Sequence, residues 1–167
     1  ALGSWWTLED WDLLARAANI LHTQSASPRI FSQVVWWKFF YPIFGDNAQA
    51  WAFIRLFVFG GIGWSTVKVC QQLGMKKLPQ LVAGLLVVAS PLAFTPLYWA
   101  SGIQTLLGAL LALLAIIFAL RNKIWLVLLF GVLSILSKEN GLLLPLILPL
   151  ILKHKNWKHW LVVGLLA

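Results

Sequence analysis

Apolar positions in this chain do not alternate with polar ones; they run together. Three runs, at 51–73, 78–99 and 102–120, each reach the roughly 20 apolar residues that an α-helix needs to cross a hydrocarbon core about 30 Å thick. The third, with L-L-G-A-L-L-A-L-L-A-I-I-F-A-L at its core, is the clearest. Ser90-Pro91 and Pro96 interrupt the second. Each proline removes a backbone hydrogen bond, so the pattern predicts a kink or unwinding toward the end of that run. A very tight turn near Ser101-Gly102 leads into the third. Two shorter runs follow, at 124–137 and 141–152, and a further one begins at 160–167.

Between the two short runs stands S-K-E-N, residues 137–140. A helix over 124–136 rises only about 20 Å and ends short of the far surface. Residues 137–140 are therefore expected below that surface. The returning run is equally short and carries Pro145 and Pro149. Ions and non-helical backbone at such depth are tolerated only inside protein or beside a water-filled cavity.

The first 50 residues follow another pattern. W-W-T-L-E-D-W-D-L-L-A-R-A-A-N-I-L-H has apolar residues at helical spacing, with acids near its start as a helix N-terminus prefers. After T-Q-S-A-S-P, a loop by composition, comes R-I-F-S-Q-V-V-W-W-K-F-F-Y-P-I-F-G-D-N, dense in aromatic residues with scattered charge. Segments of that kind lie in the interface plane with their rings at headgroup level. The expected fold class is all-α: a polytopic helical membrane protein. Residues 1–50 form an extracytoplasmic loop with two amphipathic helices, and 51–167 form the transmembrane module.

Composition supports that class. Of the 167 residues 60% are hydrophobic and 11% charged, against roughly 25% charged in globular chains. A water-soluble fold would have to expose large apolar patches. The net charge of +8 comes in short clusters between apolar runs, which points to lipid headgroups and not to nucleic acid as the counterions. Lys76-Lys77, Arg121 and Lys123, and Lys153, Lys155 and Lys158 come without acids and mark a cytoplasmic face. If the spans alternate, all five acids, Glu9, Asp10, Asp12, Asp46 and Glu139, fall on the opposite side. The chain has no Asn-x-Ser/Thr sequon, which favours a bacterial inner membrane over the endoplasmic reticulum. It starts on Ala1 without methionine and stops inside an apolar run, so it reads as an internal piece of a longer membrane protein. Cys70, the one cysteine, reads as a packing residue.

Few residues offer chemistry. Glu9-Asp10-x-Asp12 is either a water-exposed helix start or a general base at the membrane surface, where Trp5, Trp6 and Trp11 lower the local dielectric. Lys138-Glu139 is either a mutually neutralised pair or a functional site, the lysine suiting a phosphate that arrives from the lipid. Arg55 either snorkels to the interface or binds substrate. His22, His154 and His159 have no metal-ligand spacing, and no glycine-rich phosphate loop occurs. No cofactor is implied, and a divalent metal stays open.

Four stretches in order carry a resemblance: E-D-W-D-L-L-A-R-A, F-G-D-N-A-Q-A-W-A-F-I-R-L, S-P-L-A-F-T-P-L-Y-W-A-S-G-I-Q-T-L-L and L-S-K-E-N-G-L-L-L-P. Together they resemble the amino-terminal half of the glycosyltransferase C superfamily, in its protein O-mannosyltransferase-like and tetratricopeptide-bearing mannosyltransferase branches. The resemblance implies transfer of a sugar from a polyprenyl-phosphate carrier to an extracytoplasmic acceptor. It implies that Glu9 and Asp10 are the acidic pair acting as base or acceptor site. It places Ser137, Lys138 and Glu139 on the short Ser-Lys-Glu break, and implies that Lys138 and Arg55 steady the carrier phosphate. Where the mannosyltransferase branch has His-Pro-x-His-Thr-Glu and a following Arg-x-Glu/Asp, this chain has S-P-L-A-F-T and I-Q-T. Ser90, Ala93, Thr95 and Thr105 thus lack the imidazole and carboxyl groups of that branch.

Two functions follow from these readings: a glycosyltransferase using a lipid-linked sugar, or a non-catalytic subunit of a larger membrane complex that keeps the fold. Broken helices also mark transporters, but the acidic outer loop with its surface helices argues against that class.

Overall fold

The apolar runs fold as helices because a helix closes its backbone hydrogen bonds within its own segment. A computed structural model describes residues 6, 8–20, 29–144 and 147–148 of the chain. Among these residues all regular structure is helical. Helix α1 spans Leu8–Ala17. A wide π turn, Phe31–Val35, runs directly into α2, Trp36–Phe44. Then come α3, Ala48–Gln72, and α4, Lys77–Val88. Short α5, Phe94–Tyr98, lies between 3-10 turns at Pro91–Ala93 and Ala100–Gly102. Helix α6 covers Ile103–Leu120 and α7 covers Ile124–Ser137, with a last 3-10 turn at Glu139–Leu143.

Local chemistry sets these boundaries. Asn47 caps α3 by accepting the amides of Gln49 and Ala50 at 3.1 and 3.2 Å. Gly74, at φ +77°, takes the left-handed position just beyond its other end, which glycine adopts without strain. Two helical stretches are long and apolar enough to cross a membrane, Ala48–Gln72 and Ala100–Leu120. The segments Lys77–Val88 and Pro91–Tyr98 would make one more span, but they meet at a 43° bend, at the prolines where the sequence predicts a kink. Helix α7, at 14 residues, is too short to cross. The returning run at 141–152 is only partly described, and the run at 160–167 lies outside the described residues.

Helix α6 is the centre of the packing. Its Ile103, Leu106, Leu107 and Leu111 close on Val58, Phe59 and Ile62 of α3. Lower down, Ala115, Ile116 and Ala119 meet Val127 of α7 together with Leu144 and Leu148 of the returning chain. Helices α3 and α4 touch through small residues: a Cβ built on Gly63 or Gly84 would lie 2.6 Å from a methyl of Val88 or Val67. Such glycine contacts let helix backbones approach closely. Phe53, Phe57 and Trp64 of α3 and Leu81, Leu85 and Leu86 of α4 face outward and exposed. So broad an apolar exterior fits a lipid surround better than water.

The charges separate along the bundle. Glu9, Asp10, Asp12, Asp46 and Glu139 lie at the end where α3 and α6 begin and α7 stops. The other end carries Lys76, Lys77, Arg121 and Lys123 and no acid among the described residues. There the Gln72 amide, turned with its oxygen toward Arg121, accepts from Nε at 2.9 Å and Nη2 at 3.2 Å.

The first 50 residues hold helices whose inner faces are packed on protein. Trp37 is wholly buried and stacks on Trp51 with ring centres 4.5 Å apart, and Leu13, Leu14 and Ala100 join that cluster. Phe39 and Ile43 of α2 point away and are exposed. The second segment is not uniformly α-helical. In its π turn Ser32 is buried, and its Oγ donates to the carbonyl of Ser137 at 2.6 Å, tying the loop to the end of α7.

Candidate functional site

The site is built on the break after α7. Ser137 is fully buried, its hydroxyl donating to the Leu133 carbonyl at 2.7 Å, so it faces protein and no cavity. Lys138 is extended, and Glu139–Leu143 then folds back along α7. The glycine of the sequence K-E-N-G is required for that reversal: a Cβ on Gly141 would sit 2.6 Å from the Ile135 amide nitrogen and 2.8 Å from the Ser134 carbonyl carbon. Neighbouring contacts seat the break on α6. The Ser134 hydroxyl donates to the Gly108 carbonyl at 2.9 Å, and the Lys138 ammonium donates to the Thr105 hydroxyl at 2.7 Å.

Lys138 and Glu139 do not form the self-neutralising pair that their adjacency suggests. Glu139 is taken by Arg29, which donates through Nε at 2.8 Å and Nη2 at 2.6 Å, the two-pronged geometry that guanidinium and carboxylate favour. The third nitrogen of Arg29, Nη1, donates to Gln104 Oε1 at 3.1 Å. The Arg29 hydrogen bond holds the Glu139 carboxyl below the usual carboxylate range, with the attraction of Arg29 and Lys138 adding to it. Lys138 makes no ion pair among the described residues; its hydrogen bond is to a neutral hydroxyl.

Beside the break opens a cavity of about 630 Å³. One wall comes from α1, with Glu9, Asp12 and Arg16; another from Thr95, Pro96 and Trp99; the floor includes Thr105 and Lys138. Arg16 and Asp12 pair along α1 at 2.7 Å, partly exposed, an arrangement worth roughly 0.3–0.5 kcal/mol.

Two residues read as site residues lie behind the wall. The Asp10 side chain is 0% exposed, and its Oδ1 accepts the Ser101 amide at 2.6 Å. Its charge acts on Arg55, itself 2% exposed, whose Nε donates to the Leu97 carbonyl at 3.3 Å. Neither lines the cavity; both sit behind its wall, against the backbone of the segment that forms it. Arg55 does not snorkel either. Both hold the segment from Leu97 to Ser101. A third hold is Gly102, where a Cβ would run into the backbone of Pro96.

The separation of Glu9 from Asp10 follows from helix geometry. Successive residues on a helix differ by about 100° in direction. Asp10 and Leu14 share the buried face, Glu9, Asp12 and Arg16 share the cavity face, and Leu13 lies at the border between them. That spacing is legible in the sequence. Arg29 and Gln104 have no comparable signal, since their roles arise from partners 110 and 75 residues away. Among the described residues no three of His, Cys, Asp and Glu gather as a metal site. His22, His154 and His159 lie outside the described residues. Searches against family models, curated proteins and solved structures return no match to this chain.

Proposed function

We propose that this chain is the front part of an integral, multi-pass membrane glycosyltransferase of the glycosyltransferase C kind, and that the cavity takes the head of a polyprenyl-phosphate sugar. One observation supports this above the others: an ammonium, Lys138, and a carboxylate, Glu9, line one cavity at the acidic end of an apolar bundle. An acceptor hydroxyl gives its proton to Glu9 while its oxygen attacks the anomeric carbon. The bond from that carbon to the phosphate oxygen breaks, the phosphate keeps the electron pair, and Lys138 meets the added negative charge. In this reading the acidic end is extracytoplasmic and the basic end cytoplasmic, by the positive-inside rule, in a bacterial inner membrane. The test uses the intact protein in lipid nanodiscs. Lys138→Met should weaken binding of a polyprenyl-phosphate sugar tenfold or more, by loss of a charge-assisted contact. If the unaltered protein binds no such lipid, the reading fails.

A specific observation also supports the second reading, a non-catalytic subunit of a membrane complex. Glu139 is neutralised by Arg29, Asp12 by Arg16, and Asp10 is withdrawn from the cavity. That reading predicts purification in fixed ratio with other subunits and no lipid-linked sugar bound.

A further inference from the structure

We infer that Trp99 is a stacking platform for the sugar ring of the lipid-linked donor, and that Asp10 and Arg55 are the positioning residues that hold it in place. The inference rests on the proposed function and extends it to recognition of the sugar itself.

Trp99 lines the cavity and is 45% exposed. Its neighbours on the same stretch are engaged elsewhere: Phe94 and Tyr98 stack on each other at 5.5 Å, and neither lines the cavity. Among the described residues the Trp99 ring has no ring partner, and its indole N–H has no acceptor. Trp37 and Trp51, in contrast, are buried against each other as structural filler. A large aromatic face left unpaired at the wall of a polar cavity has the chemistry to receive a pyranose. The ring's axial C–H groups carry slight positive charge and settle on the negative π face. Glu9, Asp12 and Arg16 stand on the same cavity's α1 wall, where they can hydrogen-bond hydroxyls at the sugar's rim.

The platform is fixed from several sides, which a mere membrane-surface tryptophan would not require. Its own backbone is extended, between α5 and the turn at Ala100–Gly102. Two residues before it, the Leu97 carbonyl accepts from Arg55; two residues after it, the Ser101 amide donates to Asp10. Two buried charged side chains thus grip both flanks of Trp99. Gly102 allows the following turn to close on Pro96. Fixing a ring in advance lowers the ordering cost of binding.

The experiment measures binding of two lipids to the intact protein in nanodiscs: a polyprenyl-phosphate sugar and the same polyprenyl phosphate without sugar. Trp99→Ala should weaken the sugar-bearing lipid about fivefold to tenfold and leave the sugarless lipid unchanged, while Trp99→Phe should restore most of the loss. Asp10→Asn should move affinity in the same direction and with the same discrimination. Equal weakening of both lipids by Trp99→Ala would assign Trp99 to the lipid interface and overturn the inference, as would no effect on either. In both of those cases the proposed donor site stands, because the sugar-bearing lipid still binds the unaltered protein. Failure of the sugar-bearing lipid to bind the unaltered protein overturns both.

Discussion

Asp10 accepts the backbone amide of Ser101 at 2.6 Å across 91 residues of chain, from a position with no exposure to solvent. The bond joins the first helix to the turn that opens α6, and it brings a buried carboxylate toward Arg55. Asp10→Ala should leave the buried Ser101 amide without its acceptor, costing about 2 kcal/mol. Asp10→Asn keeps an acceptor oxygen and should cost less. Thermal unfolding of the protein in nanodiscs, compared across the two variants, measures the difference.

Glu9 should behave in the opposite way. It is exposed on the cavity wall, so Glu9→Gln should leave the unfolding temperature unchanged. Under the proposed function the same change should cut sugar transfer 100-fold or more, the usual effect of removing a general base. A Glu9→Gln protein that unfolds early but transfers sugar normally would make Glu9 a structural residue and remove it from the chemistry.

The link between Arg29 and Glu139 should respond to acid in a definite direction. Because Arg29 holds the Glu139 carboxyl below its ordinary value, the pairing contributes in full above the unfolded-state value of roughly 4.3. It is lost as pH falls through the lower folded value. The stability difference between the protein and its Glu139→Gln variant should therefore stay constant from neutral pH to about 5 and shrink below about 4. Unfolding at a series of pH values checks this. A difference that disappears already near pH 6 would mean that the pair does not hold the loop to the break.

Glycines at close backbone approaches should resist the smallest enlargement. A Cβ at Gly141 meets the backbone of Ser134 and Ile135, which cannot move aside as a side-chain tip would. Gly141→Ala should cost about 2 kcal/mol. At Gly60, within α3, a Cβ meets nothing within 4 Å. Gly60→Ala should be neutral, or stabilise by up to about 1 kcal/mol through helix propensity. Paired unfolding measurements on the two variants decide it.

How far the sequence could be read depended on the range of the interaction involved. Helices set by local composition were legible: α3, α6 and α7 occupy the apolar runs, and Pro91 marks the bend after α4. The break at 137–140 was legible because ions interrupt grease over a short stretch. What it binds was not. Adjacency left open whether Lys138 neutralises Glu139 or serves a site; a chain extended at Lys138 sends the lysine to Thr105 and leaves the glutamate to Arg29. Likewise the acidic cluster read as one group, although helical rotation divides it between a cavity and a core. Partners brought together by tertiary packing leave no local trace in composition.

The π turn at Phe31–Val35 acts as a phase adjuster for everything after it. It accommodates more residues per turn than an α-helix, and it sets the rotation at which α2 begins. Trp37 consequently points into the aromatic cluster while Lys38 and Phe39 point out. Removing one residue from this turn would let the ladder close as ordinary α-helix and rotate the following residues by about 100°. Trp37 would then swing off Trp51, and the outer cap of the bundle would lose its anchor without any change in the anchor itself.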